Sequence, residues 1–578
     1  MMMTWVTRSR EVWLLAPDSY IICLLNIQAL DLYKIKPFLL LSILSLFLFL
    51  PGLSRMPVID RDEAHFAQAT RQMIQTGNYF QIRFQDNTRF QKPPGINWLQ
   101  AASVNIFSNA DSTSIWPYRL PSLLGALFSV LLTYFFARRF MRFKIASIAA
   151  TLMAASLLLV IEAHMAVIDA SLLASMLLMQ GCLWVIYQAG VDKKSLHWGW
   201  AAVFWLAMSY GFLLKGVTPL VGFLTVITLC ITDKSVKWLR GLRILPGLLL
   251  FGLINFVWLI MVNHAEQSNY LLQMINKDLL PKLKGGHESH GNPPLYHLFI
   301  LPLTFWPASL FLWPAGQYAW LSRHLPVVKF LLAWLIPSWI FFECMPTKLP
   351  QYILPLLPAL AILCALAIDN HTNGSKPSRF IQILQILWGI LTISLALAIA
   401  VMFYMVMHQI SMISVILIGC IIALTGMTVN YARKGFYQTA ITPALTMAIL
   451  LFMVVFTEIL PTMEPVWVTR NAAQLVNNQL ISEEKPLQVV GFEEPSLVFN
   501  LNTKLIQFTD GINAITSLRK NPNQLLLVEA SAFKTFPFTH ANLKILNSTK
   551  GFDYSKGHWV KLLLIGQQNS GENQHVHL

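Results

Sequence analysis

Apolar runs long enough to cross a bilayer recur along this chain, and nothing else limits its fold so sharply. A helix needs about 20 mostly apolar residues to span the hydrocarbon. Only helices and closed barrels satisfy their own backbone there. Thirteen such runs can be counted, near 37–53, 117–137, 145–161, 168–190, 198–213, 217–232, 243–262, 297–320, 327–343, 350–368, 380–405, 411–430 and 440–460. The chain is 55% hydrophobic and 12% charged, about half the charge of a soluble domain. The expectation is a polytopic α-helical membrane protein with about 13 transmembrane helices. Residues 1–36 carry Arg8, Arg10, Lys34 and Lys36 around a weak apolar run, Tyr20 to Leu30. They lack a small-residue cleavage site and read as a cytoplasmic or interfacial segment.

Loop charge sets the orientation. Loop 138–144 holds Arg138, Arg139, Arg142 and Lys144, loop 191–197 holds Lys193 and Lys194, and loop 233–243 holds Lys234, Lys237, Arg240 and Arg243. Later loops on the same side hold Arg323, Lys376, Arg379, Arg433 and Lys434; the alternate loops hold little beyond Lys215 and Lys348. By the positive-inside rule the N-terminus is cytoplasmic. The same bias accounts for the net charge of +15, so nucleic acid is excluded as a partner. Six cysteines without a CxxC pair read as small core hydrophobes.

Three outer segments are long enough to build a site: 54–116, 264–296 and the tail 461–578. In the first, Glu63 to Gly77 has helical spacing and 94–108 is a second amphipathic piece; both suit helices lying on the membrane surface. The tail is different material. LQVVGF (487–492), NQLLLVEA (523–530) and WVKLLLIG (559–566) read as strands and Asn471 to Leu480 as a helix, a small α/β domain. It has no glycine-rich phosphate loop, so no nucleotide cofactor is expected.

Charge near lipid is costly, roughly 2.5–3.5 kcal/mol for Asp or Arg at a helix centre, so each outer charge needs a reason. Asp62 and Glu63 open a helix. Asp62 is either an N-cap or, with Glu63, a base or cation site. Lys92 precedes Pro93-Pro94, which bars helix at Lys92; it is either a solvated lysine or a cation aimed at phosphate. Asp169 begins the fourth span, again as a cap or as a functional acid, with Glu162 and His164 ending the third. His287, Glu288 and His290 lie in a basic loop with Lys282 and Lys284. They read as solvated histidines or a weak site for a divalent metal. Lys348 stands at an outer helix mouth, before a proline-rich helix suited to lining a cavity.

Together these stretches resemble the bacterial dolichyl-phosphate-mannose-protein mannosyltransferase-like glycosyltransferases, which include the lipid A 4-amino-4-deoxy-L-arabinose transferases. The matching stretches are RDEAHFAQATRQMIQTGNYFQIRF, RFQKPPGINWLQAAS, the aspartate of AVIDASLLA, LLKGVTPLV, the loop before PPLYHL, and TKLPQYILPLLPAL, over 58–360. The resemblance implies a GT-C fold over 37–460 with a periplasmic C-terminal domain. It implies a bacterial inner-membrane enzyme whose site faces the periplasm. A sugar would move from a polyprenyl-phosphate donor to a lipid or glycan acceptor, usually with inversion. Asp62, Glu63 and Asp169 would be the catalytic acids, with Asp62 as base or metal ligand. Lys92 would hold the donor phosphate, with Arg83, Arg89 and Lys348 as further candidates. Gln91 stands where the family usually carries Glu, and His65 where many relatives carry Arg or Gly. A protein O-mannosyltransferase or glycan-modifying transferase of the same fold is the alternative, and a non-enzymatic transporter a more distant one.

Overall fold

The computed structural model describes residues 32–266, 269–281, 292–477, 485–501, 505–521, 523–535 and 543–567. The chain divides into two compact units after Leu40. The first ends inside helix α1 (Leu32–Phe49), and everything below belongs to the second, Leu41–Leu578.

All thirteen apolar runs are helical. Among the described residues, eight helices are individually long and apolar enough to cross a bilayer, and ten if two bent pairs are each one span. The bent pairs are α5 (Phe143–Ala154) with α6 (Leu157–Ala163), at 62°, and Tyr296–Thr304 with Ala308–Leu321, at 113°. The remaining runs fall on shorter apolar helices: α1, α8 (Gly199–Lys215) and the stretch Thr218–Asp233 that ends in α9 (Gly222–Asp233).

Burial separates central from peripheral spans. The apolar window of α7 (Asp169–Val191) is 89% buried, while that of α10 (Ile244–Glu266) is only 17% buried. In lipid, helices gain nothing from hiding apolar surface from one another, so packing and interhelical hydrogen bonds must join them. Serines do this around α7. Ser171 Oγ donates to Pro121 O at 3.1 Å on α4 (Trp116–Ala137), and Ser175 Oγ to Ala207 O at 2.7 Å on α8.

Residues 54–116 build α2 (Asp62–Thr76), the two-residue hairpin β1 (Arg83–Phe84) and β2 (Asn87–Thr88), and α3 (Gly95–Phe107). Gly77 ends α2 in the left-handed region at φ 68°, as its glycine-asparagine stop signal predicts. The surface-helix expectation needs correction for α2. Glu63, Ala64, Phe66, Ala67, Gln68, Ala69, Thr70, Arg71 and Met73 are all buried, because α3 packs on one side and helix Pro495–Leu501 of the tail on another. α11 (Tyr270–Met274) continues into a π-helical turn, Ile275–Leu279.

The tail is α/β. Its sheet has the order β4-β3-β5-β7-β6, with β3 (Leu487–Val490), β4 (Ile506–Phe508) and β5 (Leu526–Glu529) parallel. The hairpin β6 (Leu543–Asp553) and β7 (His558–Gln567) joins antiparallel. β3 and β5 are buried almost throughout because helices cover both sheet faces; Val489 and Leu527 point into one core, Val490 and Val528 into the other. Three strands fall where the sequence predicts them, and the helix expected over 471–480 is present from Val468 to Asn477, with 478–480 outside the described residues. The strands β4 and β6 were not expected.

Candidate active site

Four short element ends converge. They are the start of α2, the α6–α7 junction, the end of α8 and the segment before α3. A buried pair anchors the first. Glu63 accepts from Arg119 at both oxygens, 2.8 Å from Nε and 2.9 Å from Nη2. The same carboxylate accepts the backbone N–H of Ile59 and of Ala166, each at 2.7 Å. Arg119 also donates to the carbonyls of Leu53, Met56 and Pro57, each at 2.8 Å. Both side chains are wholly buried. One carboxylate therefore ties the start of α2 to α4 and to the loop before α7. Its lone pairs are used, and it offers nothing to a substrate.

Asp62 is different. It is exposed, and among the described residues its carboxylate has no hydrogen bond or ion pair. It is not the N-cap: Arg61 occupies that position and makes no side-chain cap bond, so Asp62 is the first helical residue. Asp169 is likewise inside its helix, with Ile168 at the cap. Its carboxylate pairs with Lys215, the last residue of α8, whose ammonium also lies 5.3 Å from the centre of the Tyr352 ring. Glu162, at the end of α6 and only 6% exposed, is within electrostatic reach of Asp169, Lys215 and Asp62.

Lys92 reaches Asp278 of the π-helical turn, Nζ to Oδ2 2.9 Å. Its backbone is held by Tyr270, whose hydroxyl donates to Arg89 O and Lys92 O, both at 2.9 Å. Burial and the charges of Glu266 and Asp278 push that phenol's pKa up, so it stays a donor. Gly95 brings Lys92 to Lys215: a Cβ there would lie 2.5 Å from Leu213 O, so only glycine lets α3 start against the end of α8.

Lys92 and Lys215 open on one cavity of about 360 Å³. Its walls are mostly apolar, with Phe212, Leu271, Phe341 and Phe342 among them; Tyr352 and Pro355 come from the proline-rich stretch. That stretch is a 3₁₀ segment, Pro350–Leu356, feeding the helix Leu357–Asn370; the 3₁₀ segment lines the cavity as its prolines suggest, but the two run on as one span and are not one of the sharply bent pairs.

Not every expected residue comes here. Lys348 is buried away from the cavity, its Nζ donating to Asn292 O at 3.1 Å. Arg83 is exposed on the hairpin, outside the cavity wall. Arg89 stands over the Phe66 ring, 5.7 Å from its centre. Burial first, and then the charge of Arg89, pushes the His65 pKa down to about 3, so that imidazole is neutral. His287 and His290 lie outside the described residues. Among the described residues no group of three or more His, Cys, Asp or Glu could hold a metal. Lys215, Glu162, Tyr352, Asp278 and Arg119 belong to the site or its frame, though sequence reasoning gives none of them a role there. For Lys215 and Arg119 a signal exists: each is a solitary cation at the edge of an apolar run.

The apolar helices mark a polytopic helical membrane protein, and the solved structures that align with it give its fold as GT-C. The structure of ArnT from Cupriavidus metallidurans in the apo state aligns with a TM-score of 0.71 at 17% identity, over 92% of this chain and 98% of that one. ArnT bound to undecaprenyl phosphate aligns at 0.70 and 16% identity, over the same shares. An Archaeoglobus fulgidus oligosaccharyltransferase tethered with an acceptor peptide aligns at 0.51 and 10% identity, over 86% of this chain and 69% of that one. In sequence, residues 91–261 match the family model described as dolichyl-phosphate-mannose-protein mannosyltransferase. The undecaprenyl phosphate-alpha-4-amino-4-deoxy-L-arabinose arabinosyl transferase of Pseudomonas paraeruginosa is 30% identical over 332 residues, 57% of this chain and 59% of that protein. A Pseudomonas fluorescens transferase of the same name is 29% identical over 58% of this chain and 60% of its own length. The chain thus spans about three-fifths of the curated relatives that it matches.

Proposed function

We propose that this chain is a membrane glycosyltransferase, moving a sugar from a polyprenyl-phosphate donor to a lipid A-like acceptor on the non-cytosolic face. One observation carries the reading. Two ammonium groups, Lys92 and Lys215, open on a single apolar cavity, and Glu162 lies within electrostatic reach of Lys215, Asp169 and Asp62. Such a cavity suits a phosphate carried on a hydrocarbon tail.

The chemistry follows from charge. An acceptor oxygen attacks the anomeric carbon, the carbon–oxygen bond to phosphate breaks, and the phosphate leaves with the electron pair. Lys92 and Lys215 stabilise the charge that builds on it. In this reading each ammonium turns from its carboxylate partner, Asp278 or Asp169, toward phosphate. Asp62 takes the proton of a hydroxyl acceptor. If the acceptor is itself a phosphate, already anionic, Asp62 orients it instead. Glu63 is a positioning residue, since its oxygens are spent on Arg119 and two backbone amides.

The loop charges support thirteen crossings, with this site and the tail on the periplasmic side of a bacterial inner membrane. The relatives' names support 4-amino-4-deoxy-L-arabinose as the sugar. The test is transfer from undecaprenyl-phosphate-linked aminoarabinose to lipid A by the full chain in lipid nanodiscs, read by mass spectrometry. Asp62→Asn and Lys92→Ala are each expected to lower the rate about 100-fold or more. Wild-type rates in both, at equal folded protein, would overturn the assignment.

A further inference from the structure

The residue before Asp62 is held in an unusual shape. Arg61 has φ 64° and ψ −112°, a region that L-residues with a side chain rarely occupy. The first turn of α2 is built on it, with His65 N–H donating to Arg61 O at 2.9 Å. Two contacts of α2 close the loop around it: Glu63 accepts the Ile59 N–H at 2.7 Å and the Ala64 N–H donates to Ile59 O at 3.2 Å. Further contacts come from the tail. The Tyr554 hydroxyl accepts the Asp60 N–H at 2.6 Å, and the Ser496 N–H donates to Asp60 Oδ1 at 3.0 Å. Arg61 Nη2 donates to Ser555 O at 2.7 Å. One helical face further on, Arg71 donates to Phe499 O at 2.5 Å and stacks over the Phe499 ring at 4.3 Å.

Asp62 therefore sits between two clamps of different origin. On its C-terminal side Glu63 is fixed by Arg119. On its N-terminal side Asp60 and Arg61 are fixed by the β6–β7 turn and by helix Pro495–Leu501. We propose that the C-terminal α/β unit is a positioning element for Asp62, in which Tyr554 and Ser496 grip Asp60 and so keep Arg61 in the left-handed conformation that aims the Asp62 carboxylate. This rests on the proposed role of Asp62. The clamp leaves the donor cavity alone: no described residue of the tail lines it. Its effect belongs on turnover, with donor binding untouched.

Tyr554→Phe removes the hydroxyl and keeps the ring against Trp467, where the centroids are 6.2 Å apart. In the nanodisc assay the variant is expected to lose about tenfold or more in kcat, since small misplacements of a catalytic group are costly. The donor KM and the melting temperature are expected to stay at wild-type values. Arg61→Gly added to Tyr554→Phe is expected to recover much of the lost kcat, because glycine takes positive φ without strain. Wild-type kcat in Tyr554→Phe, with Asp62→Asn inactive, would overturn the clamp and leave the function standing. So would a loss shared by kcat, KM and melting temperature that Arg61→Gly fails to rescue. Wild-type turnover in Asp62→Asn would overturn both.

Discussion

Glu63 and Arg119 meet side by side with no solvent between them, Nε to Oε1 2.8 Å and Nη2 to Oε2 2.9 Å, and both side chains are fully buried. Adjacent in sequence, Asp62 and Glu63 thus have opposite circumstances: one carboxylate is exposed and has no hydrogen bond or ion pair among the described residues, the other is enclosed and saturated. Helix geometry explains the split, since neighbouring helical residues point about 100° apart.

Breaking the enclosed pair strands a charge. Glu63→Ala or Arg119→Ala is expected to destabilise the protein by about 3–5 kcal/mol. The check is thermal unfolding in detergent, where both variants should melt early or fail to accumulate. Asp62→Asn should melt like the wild type.

Lys215 and Lys348 make a matched comparison. Lys215→Ala is expected to cost about 100- to 1,000-fold in transfer and to weaken undecaprenyl phosphate binding. Lys348, whose ammonium is spent on Asn292 O, lies off the cavity, so Lys348→Ala is expected to leave phosphate binding unchanged. Direct binding measurements on both variants decide the matter.

Gly95 permits the contact that joins the two lysines. Gly95→Ala places a methyl 2.5 Å from Leu213 O and should force α3 away from α8, at a cost of roughly 1–3 kcal/mol. Transfer should fall with it. The counterpart, Gly77→Ala, has open space around its Cβ and suffers only from its φ of 68°. It should cost about 1 kcal/mol and leave transfer intact.

Asp60 gives the tail contact a pH dependence. Burial first, then the charge of Glu494, pushes its pKa up from 3.8 to about 7; Asp553 adds to this and the Ser496 hydrogen bonds oppose it. Lys556 partly neutralises the neighbourhood, 3.5 Å from Glu494 and 3.8 Å from Asp553. The neighbouring Tyr554 phenol is itself pushed upward by burial first and then by the charges of Asp60, Glu63 and Glu494, so it stays protonated. Between the unfolded value and about 7 the native protein holds a proton that the unfolded chain has released. Stability from this group therefore falls as pH rises through that window and levels off above it. Melting temperatures from pH 4 to 8 should show the decline in wild type and lack it in Asp60→Asn.

How much of this could be read beforehand follows from range. The apolar runs, α2, α3, the Lys92 turn and the strands β3, β5 and β7 are local patterns, and each is where its residues put it. What escaped was pairing at a distance. Asp169 looks like a helix cap until Lys215, 46 residues on, is brought to it. Glu63 looks as available as Asp62 until Arg119, 56 residues on, encloses it. Lys348 looks exposed at a helix mouth because nothing local announces that Asn292 takes it inside. β6 escaped for a different reason: LKILNSTKGFD carries a polar middle, tolerable because it is an edge strand with only β7 beside it.

Tyr554 grips Asp60 from 494 positions further along the chain. Translation therefore delivers the first acidic helix long before the hairpin that shapes it exists. A ribosome that stops early would leave the apolar helices and their cavity without the grip on Asp60, so the proposed positioning of Asp62 would be completed among the last events in the life of the nascent chain.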